Sequence, residues 1–325
     1  MARNRFSLRF LAAVFILGFA AVHCLASPPP RRSPTNGKNP YTITDNVDLV
    51  LLDVSVRYRH GGYVKGLTKN NFHVYEDGHA RRITQFGTMD APVSIGLVVD
   101  NSGSMREKRP DVVLAGLAFA RQSNPHDEFF VVNFNDRIAF GLPRGVPFTD
   151  SLELLRKALY YGQPYGETAL YDAIAAALAH LERSRLDVRT LIVVSDGGDN
   201  ASEINLRELT KLVEASRATI YTVGLFDPYD ADRNPKILRK LASISGGQYM
   251  QPETTREIVP VLRKISTDVR SRYTVGYRPD EVKDKRTVRT VKVTARKRGK
   301  KLIVRTRTTY TMIPFTELMT RDESR

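Results

Sequence analysis

The segment Asp100-Asn101-Ser102-Gly103-Ser104 places one carboxylate and two hydroxyls at alternate positions. It follows the apolar run Val93-Ser94-Ile95-Gly96-Leu97-Val98-Val99, which reads as a buried strand, and it precedes a helical pattern. On a strand-to-helix turn, alternate side chains can point oxygen at a common centre. An oxygen-only cluster suits a hard divalent cation such as Mg²⁺ or Ca²⁺. Two other segments carry oxygen donors in comparable positions. One is Gly166-Glu167-Thr168-Ala169-Leu170, with Thr168 at a helix start. The other is Ser195-Asp196-Gly197-Gly198-Asp199-Asn200, directly after an apolar strand. In an open α/β sheet, ligands bind beyond the carboxyl ends of strands, near the point where strand order switches.

The remaining polar groups near these loops have plainer readings. Asp199 either steadies a metal-bound water or caps the turn that follows it. Glu167 either steers a partner or is a solvated charge. Asp172 falls on the helix after Thr168 and is expected to bond backbone or a neighbouring loop, and Asp136 reads as a β-turn residue. The six histidines are scattered without a paired metal spacing. No histidine or second carboxylate is set as a general base, and no G-x-S-x-G nucleophile elbow occurs.

From residue 92 to about 270, apolar runs and helical patterns alternate. Strands are expected at 93–99, 129–134, 138–140, 190–194 and 219–223, with a short one at 248–250. Helices are expected at 110–122, 151–159, 169–182, 206–216, 235–244 and 257–271. Continuous apolar strands are those of a parallel sheet covered on both faces, so this region is a doubly wound α/β domain. Asn205 and Thr168 are read as helix N-caps, and Gly246-Gly247 as a helix end.

The flanks are β in pattern. In 45–88, Val47, Leu49 and Leu51 alternate, and Val54, Val56 and Tyr58 continue after a change of parity near Asp53. Phe72 and Val74 precede the turn Glu76-Asp77-Gly78. In 272–311, Val288, Val291 and Val293 mark a strand, Lys297-Arg298-Gly299-Lys300 a hairpin turn, and 302–308 a return strand. Neither flank has enough strands to stand alone. The expected architecture is therefore an α/β domain at 92–271, inserted into a small β-sandwich made of the segments 45–88 and 272–311. A tail follows at 312–325.

Arg3, Arg5 and Arg9 precede an apolar run over 10–22 and the small-residue site Cys24-Leu25-Ala26. This is a signal peptide over 1–26, cleaved near Ala26, followed by a Pro/Arg/Asn-rich linker over 27–44. The alternative is a retained anchor. The single cysteine lies in that leader, so the mature chain has no disulfide and no thiolate chemistry, as fits a secreted or periplasmic bacterial protein. Of the net charge of +15, much sits in 272–310, where 14 Lys/Arg face three acids. That stretch is read as a solvated face or as a contact for an anionic envelope surface. Nothing resembles a nucleic-acid module.

The three loops together resemble those of the von Willebrand factor A domain family, with its metal-ion-dependent adhesion site. The matching residues are Asp100, Ser102 and Ser104, then Thr168, then Asp196. The lead-in Gly66-Leu67-Thr68-Lys69-Asn70-Asn71-Phe72-His73-Val74-Tyr75-Glu76-Asp77-Gly78 and the segment Tyr273-Thr274-Val275-Gly276-Tyr277 are similar to VWFA-related Acidobacterial domain proteins. The resemblance implies that those five residues are metal ligands. Three neutral hydroxyls and two carboxylates leave a cation electron-poor. In the family, a partner's acidic residue supplies the missing oxygen. Mg²⁺ suits a small octahedral site, and Mn²⁺ or Ca²⁺ could take its place. The function implied is metal-dependent, non-catalytic binding of a protein or glycan. An envelope scaffold with a merely stabilising metal, or a metal-dependent hydrolase, are the alternatives.

Overall fold

A computed structural model describes residues 49–88, 91–226, 233–280 and 287–320. The leader and linker expected over 1–44 lie outside the described residues, as do Val47 and positions 321–325.

The chain opens with β1 (Val50–Arg57), β2 (Phe72–Glu76), β3 (His79–Arg81) and β4 (Ile83–Thr88). The α/β region then runs β5 (Val93–Asp100), α1 (Arg109–Arg121), β6 (Glu128–Phe134), β7 (Ile138–Phe140), α2 (Leu152–Leu159) and α3 (Leu170–Leu181). It continues with β8 (Val188–Ser195), α4 (Leu206–Ala215), β9 (Thr219–Gly224), α5 (Pro235–Ser245), β10 (Tyr249–Met250) and α6 (Ile258–Val269). The chain closes with β11 (Arg272–Tyr277), β12 (Arg289–Lys297), β13 (Lys300–Lys301), β14 (Ile303–Arg305), β15 (Thr309–Tyr310) and α7 (Phe315–Thr320).

The central sheet has the order β10-β9-β8-β5-β6-β7. All its pairs are parallel except the β6–β7 edge. Every residue of β5 and β9 is buried, because helices cover both faces. One face packs Ile95, Leu97 and Val99 against α1, α2 and α6 through Phe119, Leu159 and Ile265. The other packs Val98, Phe130 and Leu191 against α3, α4 and α5 through Ile174, Leu209 and Leu238. A Cβ on Gly96 would lie 2.4 Å from Phe130 Cζ and 2.5 Å from Leu191 Cδ2. Gly96→Ala is therefore expected to lower stability by about 1–3 kcal/mol through overpacking, read as a lower urea midpoint at unchanged slope.

The flanking strands form two further sheets. One has the order β14-β1-β11-β4; in the other, of order β13-β12-β2-β3, β15 pairs with β12. Both sheets combine strands from the two ends of the chain, alternating in the first and meeting at β12–β2 in the second. Val50 faces Tyr277 and Ser55 faces Arg272 across β1–β11, while Phe72 faces Ala295 across β2–β12. One apolar cluster joins the sheets, including Leu52, Val54, Val74, Val275, Tyr277 and Val293.

Several sequence expectations are corrected. No parity change occurs in β1: Val50, Leu52, Val54 and Val56 all face the core in one unbroken register. The return strand expected at 302–308 is broken. After β13, residues Ile303–Arg305 leave β12 and pair with β1 in the other sheet. Part of the expected tail is α7, whose Phe315 enters the core beside α4. Not all of the basic stretch is solvated. Arg272, Arg289, Arg305 and Arg307 turn inward, the first three onto buried carboxylates.

Two carboxylates organise these interior charges. Glu76 is fully buried and receives Arg289 at 2.8 Å, Arg81 at 3.0 Å, Tyr277 at 3.0 Å and the hydroxyl of Tyr310. Asp268, at the end of α6, receives Ser55 Oγ at 2.7 Å, Tyr221 Oη at 2.5 Å, Arg305 at 2.7 Å and Arg272 at 3.0 Å. Those partners come from β1, β9, β14 and β11. Asp268 therefore ties the central sheet to the flanking strands.

Candidate functional site

β5 lies between β8 and β6, and the chain leaves β5 for β6 on one side but reaches β8 on the other. The switch of strand order thus falls between the carboxyl ends of β5 and β8, which are Asp100 and Ser195. The loops after these strands meet there.

Asp100 is fully buried. Its Oδ1 accepts from the Ser102 N–H at 2.9 Å and its Oδ2 from Ser195 Oγ at 2.7 Å. Ser102 Oγ and Ser104 Oγ are 3.1 Å apart, and Ser104 Oγ donates to Asp196 Oδ2 at 2.8 Å. The Gly198 N–H donates to Asp196 Oδ1 at 3.1 Å. Burial, with the charge of Asp196 adding to it, pushes the Asp100 carboxyl up to about 6 against the hydrogen bonds from Ser102 and Ser195. Ser104 is exposed while Ser102 and Asp196 are buried, so the cluster opens to solvent at one point.

The second loop is stitched to the other two through backbone. The Gly103 N–H donates to Gly166 O at 3.4 Å, and the Tyr165 N–H to Asn101 O at 3.1 Å. Gly166 has φ +80°, and a Cβ there would stand 2.9 Å from Asp136 Oδ1, so glycine is required on both counts. The Thr168 N–H donates to Asn200 Oδ1 at 2.8 Å, and Thr168 O accepts from the Asn200 N–H at 3.0 Å. The structure thus joins Asp100, Ser102, Ser104 and Asp196 by side-chain contacts, and ties Thr168 to the third loop through its main chain.

Thr168 is not the N-cap of α3; Ala169 occupies that position and makes no side-chain cap. The cap is supplied from the third loop instead. Asp199 Oδ1 and Ser202 Oγ each accept from the Tyr171 N–H at 3.1 Å. Asp199 therefore caps a helix on another loop, where the helix dipole favours its charge. Burial raises its carboxyl above the ordinary range. Asp172 bonds the neighbouring loop, accepting from Glu203 N–H at 2.8 Å and Ile204 N–H at 3.1 Å. Asn205 caps α4 with a full capping box.

Three positioning residues escape sequence reading. Ser195 orients Asp100, Asn200 holds Thr168, and buried Arg109 braces the loop before Gly166, donating to Gly162 O at 2.7 Å and Tyr161 O at 2.9 Å. A hydroxyl at the last residue of an apolar strand is the only available signal for Ser195. Arg109 has none, since it binds carbonyls some 50 residues away in sequence. The braced loop shows Tyr160, Tyr161 and Tyr165 outward, about half exposed. Among the described residues, no group of three or more His, Cys, Asp or Glu could hold a metal. The oxygens available to a cation here are two carboxylates and the hydroxyls. His180 is remote from them, packed against Phe130, Phe140 and Phe148.

The family model of the von Willebrand factor type A domain matches residues 95–198, from within β5 through the third loop. The chain carries a von Willebrand factor type A domain. The solved structure "von Willebrand factor type A from Catenulispora acidiphila" is similar over 77% of this chain and 76% of its own, with TM-score 0.51 and 14% identity. That likeness is one of fold. An ArnB paralog, VWA2 from Sulfolobus acidocaldarius, aligns over 84% of this chain and 78% of its own, with TM-score 0.44 and 16% identity. The vWF domain of the type V pili tip protein Mfa5 from Porphyromonas gingivalis aligns over 55% and 95%, with TM-score 0.43 and 11% identity. No curated protein matches the chain. Among the described residues, no helix is long and apolar enough to cross a membrane.

Proposed function

We propose that this chain is an exported, non-catalytic binding protein. Its von Willebrand factor type A domain holds Mg²⁺ through Asp100, Ser102, Ser104, Thr168 and Asp196, and the metal bridges to an acidic group on a protein or glycan partner. The observation that carries the reading is the chain of oxygens Ser102–Ser104–Asp196, at 3.1 and 2.8 Å. Adjacent oxygens of an Mg²⁺ octahedron with bonds of about 2.1 Å are about 3.0 Å apart. Mn²⁺ or Ca²⁺ fits the same donor types less selectively. Two carboxylates do not saturate a divalent cation's demand for anionic oxygen, which leaves it receptive to a third from outside.

A binding role rather than catalysis is supported by the neighbours of these oxygens. Both Asp100 oxygens are occupied by Ser102 and Ser195, and the imidazole of His180 lies elsewhere, against Phe130. The three exposed tyrosines beside the site suit a protein partner, because tyrosine anchors interfaces at low entropic cost. Basic side chains on β12 and β13, among them Lys292, Arg296, Lys300 and Lys301, are exposed and suit a secondary contact with an anionic envelope surface. Nucleic acid is not a partner in this reading. The leader, with cleavage near Ala26, places the mature chain outside the cell or in the periplasm.

Calorimetric titration with Mg²⁺ and Mn²⁺ tests the proposal. One site is expected. Ser195→Ala, which unties Asp100 and leaves the Gly197 N–H without its acceptor, is expected to weaken it by about 10–100-fold, and Ser102→Ala to weaken it further. Partner capture is expected to fail in EDTA. Capture that persists in EDTA and in Ser102→Ala, alongside a lowered melting temperature, would shift the reading to a scaffold with a stabilising metal. Absence of any metal isotherm would refute the site.

A further inference from the structure

At the far end of α5 lies a second polar feature. The helix begins beside the third loop, where the Asn234 N–H donates to Asp196 O at 3.2 Å, and it ends at Gly246 against Thr306 and Arg307. There a cavity of about 410 Å³ opens between α5, β10, β12 and β14. Its lining includes Arg239, Lys292, Arg305 and Arg307, and no acidic side chain.

The interior of this cavity is short of hydrogen-bond partners. Arg307 is 8% exposed and donates through Nη2 to Ser216 O and Val213 O, but its Nε has no partner. Among the described residues, no carboxylate pairs with it. Thr306, also buried, leaves Oγ1 unpartnered, and Arg305 leaves Nε unpartnered beside its bonds to Gln248 and Asp268. Buried polar groups are rarely left in this state. The cations are not there to neutralise the end of α5. Its last carbonyls are taken by the N–H groups of Gly247, Gly246 and Thr308. The nearby carboxylates are shared, Asp268 between Arg305 and Arg272, and Asp53 between Arg272 and Arg307 without an ion-pair contact to the latter. Burial pulls Arg307 down to about 10, against the opposing charges of Asp53 and Glu214.

We propose that this cavity binds a tetrahedral oxyanion, the phosphate or sulfate group of a small ester. Arg307, Arg305 and Thr306 meet it at the buried end, and Arg239 and Lys292 at the exposed mouth. The guanidinium forks match such oxygens in charge and geometry. Arg239 rests over the Tyr249 ring, 4.9 Å from its centroid, which holds it at the cavity wall.

Titration of the full chain in EDTA at constant ionic strength, with inorganic phosphate, sulfate, succinate and chloride, tests this. EDTA removes any contribution from a divalent metal at the three loops. A saturable single-site isotherm and a raised melting temperature are expected with phosphate or sulfate, and the stronger of the two names the ester class. Arg239→Ala/Lys292→Ala alters only exposed side chains. It is expected to melt like the parent without anion and to bind about tenfold more weakly or worse. No isotherm with either oxyanion, an equal response to succinate or chloride, or unchanged affinity in the double variant would overturn the proposal.

Discussion

Asp268→Ala is expected to lower the free energy of unfolding by about 3–5 kcal/mol, the usual cost of removing one partner from a buried ion-pair network. Arg272 is buried with its guanidinium on Asp268 Oδ2, and Arg305 shares the same oxygen. Without the carboxylate, both charges and the Tyr221 hydroxyl lose their shared partner. Urea unfolding checks the value, and a loss below about 1 kcal/mol would show that water or rearrangement replaces the carboxylate. Tyr221→Phe removes a single donor and is expected to cost about 1 kcal/mol. Burial alone would raise the Asp268 carboxyl, but Arg272, Arg305, Tyr221 and Ser55 together hold it well below the usual carboxylate range. The folded value is therefore depressed. Its stabilisation is complete above the unfolded value of about 3.9 and is lost as pH falls from there toward the folded value. Acid unfolding of the parent should accordingly be steeper below about pH 4 than that of Asp268→Asn.

Asp100→Asn is expected to change stability in opposite directions with and without divalent metal. In EDTA the parent keeps a fully buried carboxylate beside Asp196, and that burial and repulsion oppose ionisation. Asparagine removes the charge while its oxygen can still accept from the Ser102 N–H. A gain of about 1–2 kcal/mol near pH 7.5 is expected. With Mg²⁺ at a hundred times its dissociation constant, the parent should gain about 2.7 kcal/mol by mass action, and the variant nothing. Melting curves with EDTA and with Mg²⁺ should therefore cross in order. If the variant is less stable in both, Asp100 is a structural carboxylate and not a site built around a cation. This prediction and the previous one separate two kinds of buried acid. Asp268 is stabilised by fixed cations of the chain, whereas the pair Asp100 and Asp196 has hydroxyls and N–H groups but no cation of its own.

The loop residues of the candidate site were legible because the pattern that places them is local. An apolar strand must end somewhere, and a polar residue at its carboxyl end in an α/β sheet faces the open crevice. Asp100 and Asp196 satisfy that rule within a few residues of sequence. The alternation of strands and helices was legible for the same reason, with boundaries moved by one or two residues; α6, for example, starts at Ile258 rather than 257. Thr168 is not the cap because the acceptor that caps α3, Asp199, lies 28 residues beyond the Tyr171 N–H it receives. The parity of β1 was misread because Leu49, Leu51 and Tyr58 are as apolar as the residues that face the core. Only the sheet that covers Val50, Leu52 and Val54 separates the two faces.

The sequence by itself determined the donor chemistry: which oxygens stand at strand ends, and the absence of cysteine and of paired histidine among the candidates. These are properties of residue type and of periods of two to four residues. Only the tertiary structure decided which of those oxygens touch and which charges are balanced. Ser104 reaches Asp196 across 92 positions, Ser195 reaches Asp100 across 95, and Ser55 reaches Asp268 across 213. Helical spacing puts Asp268 on the same face of α6 as Val261 and Ile265, and Arg307 falls in a basic stretch of sequence. Whether such a charge meets a counter-charge or an unfilled cavity depends on elements brought together by sheet order, and the local pattern carries no record of that order.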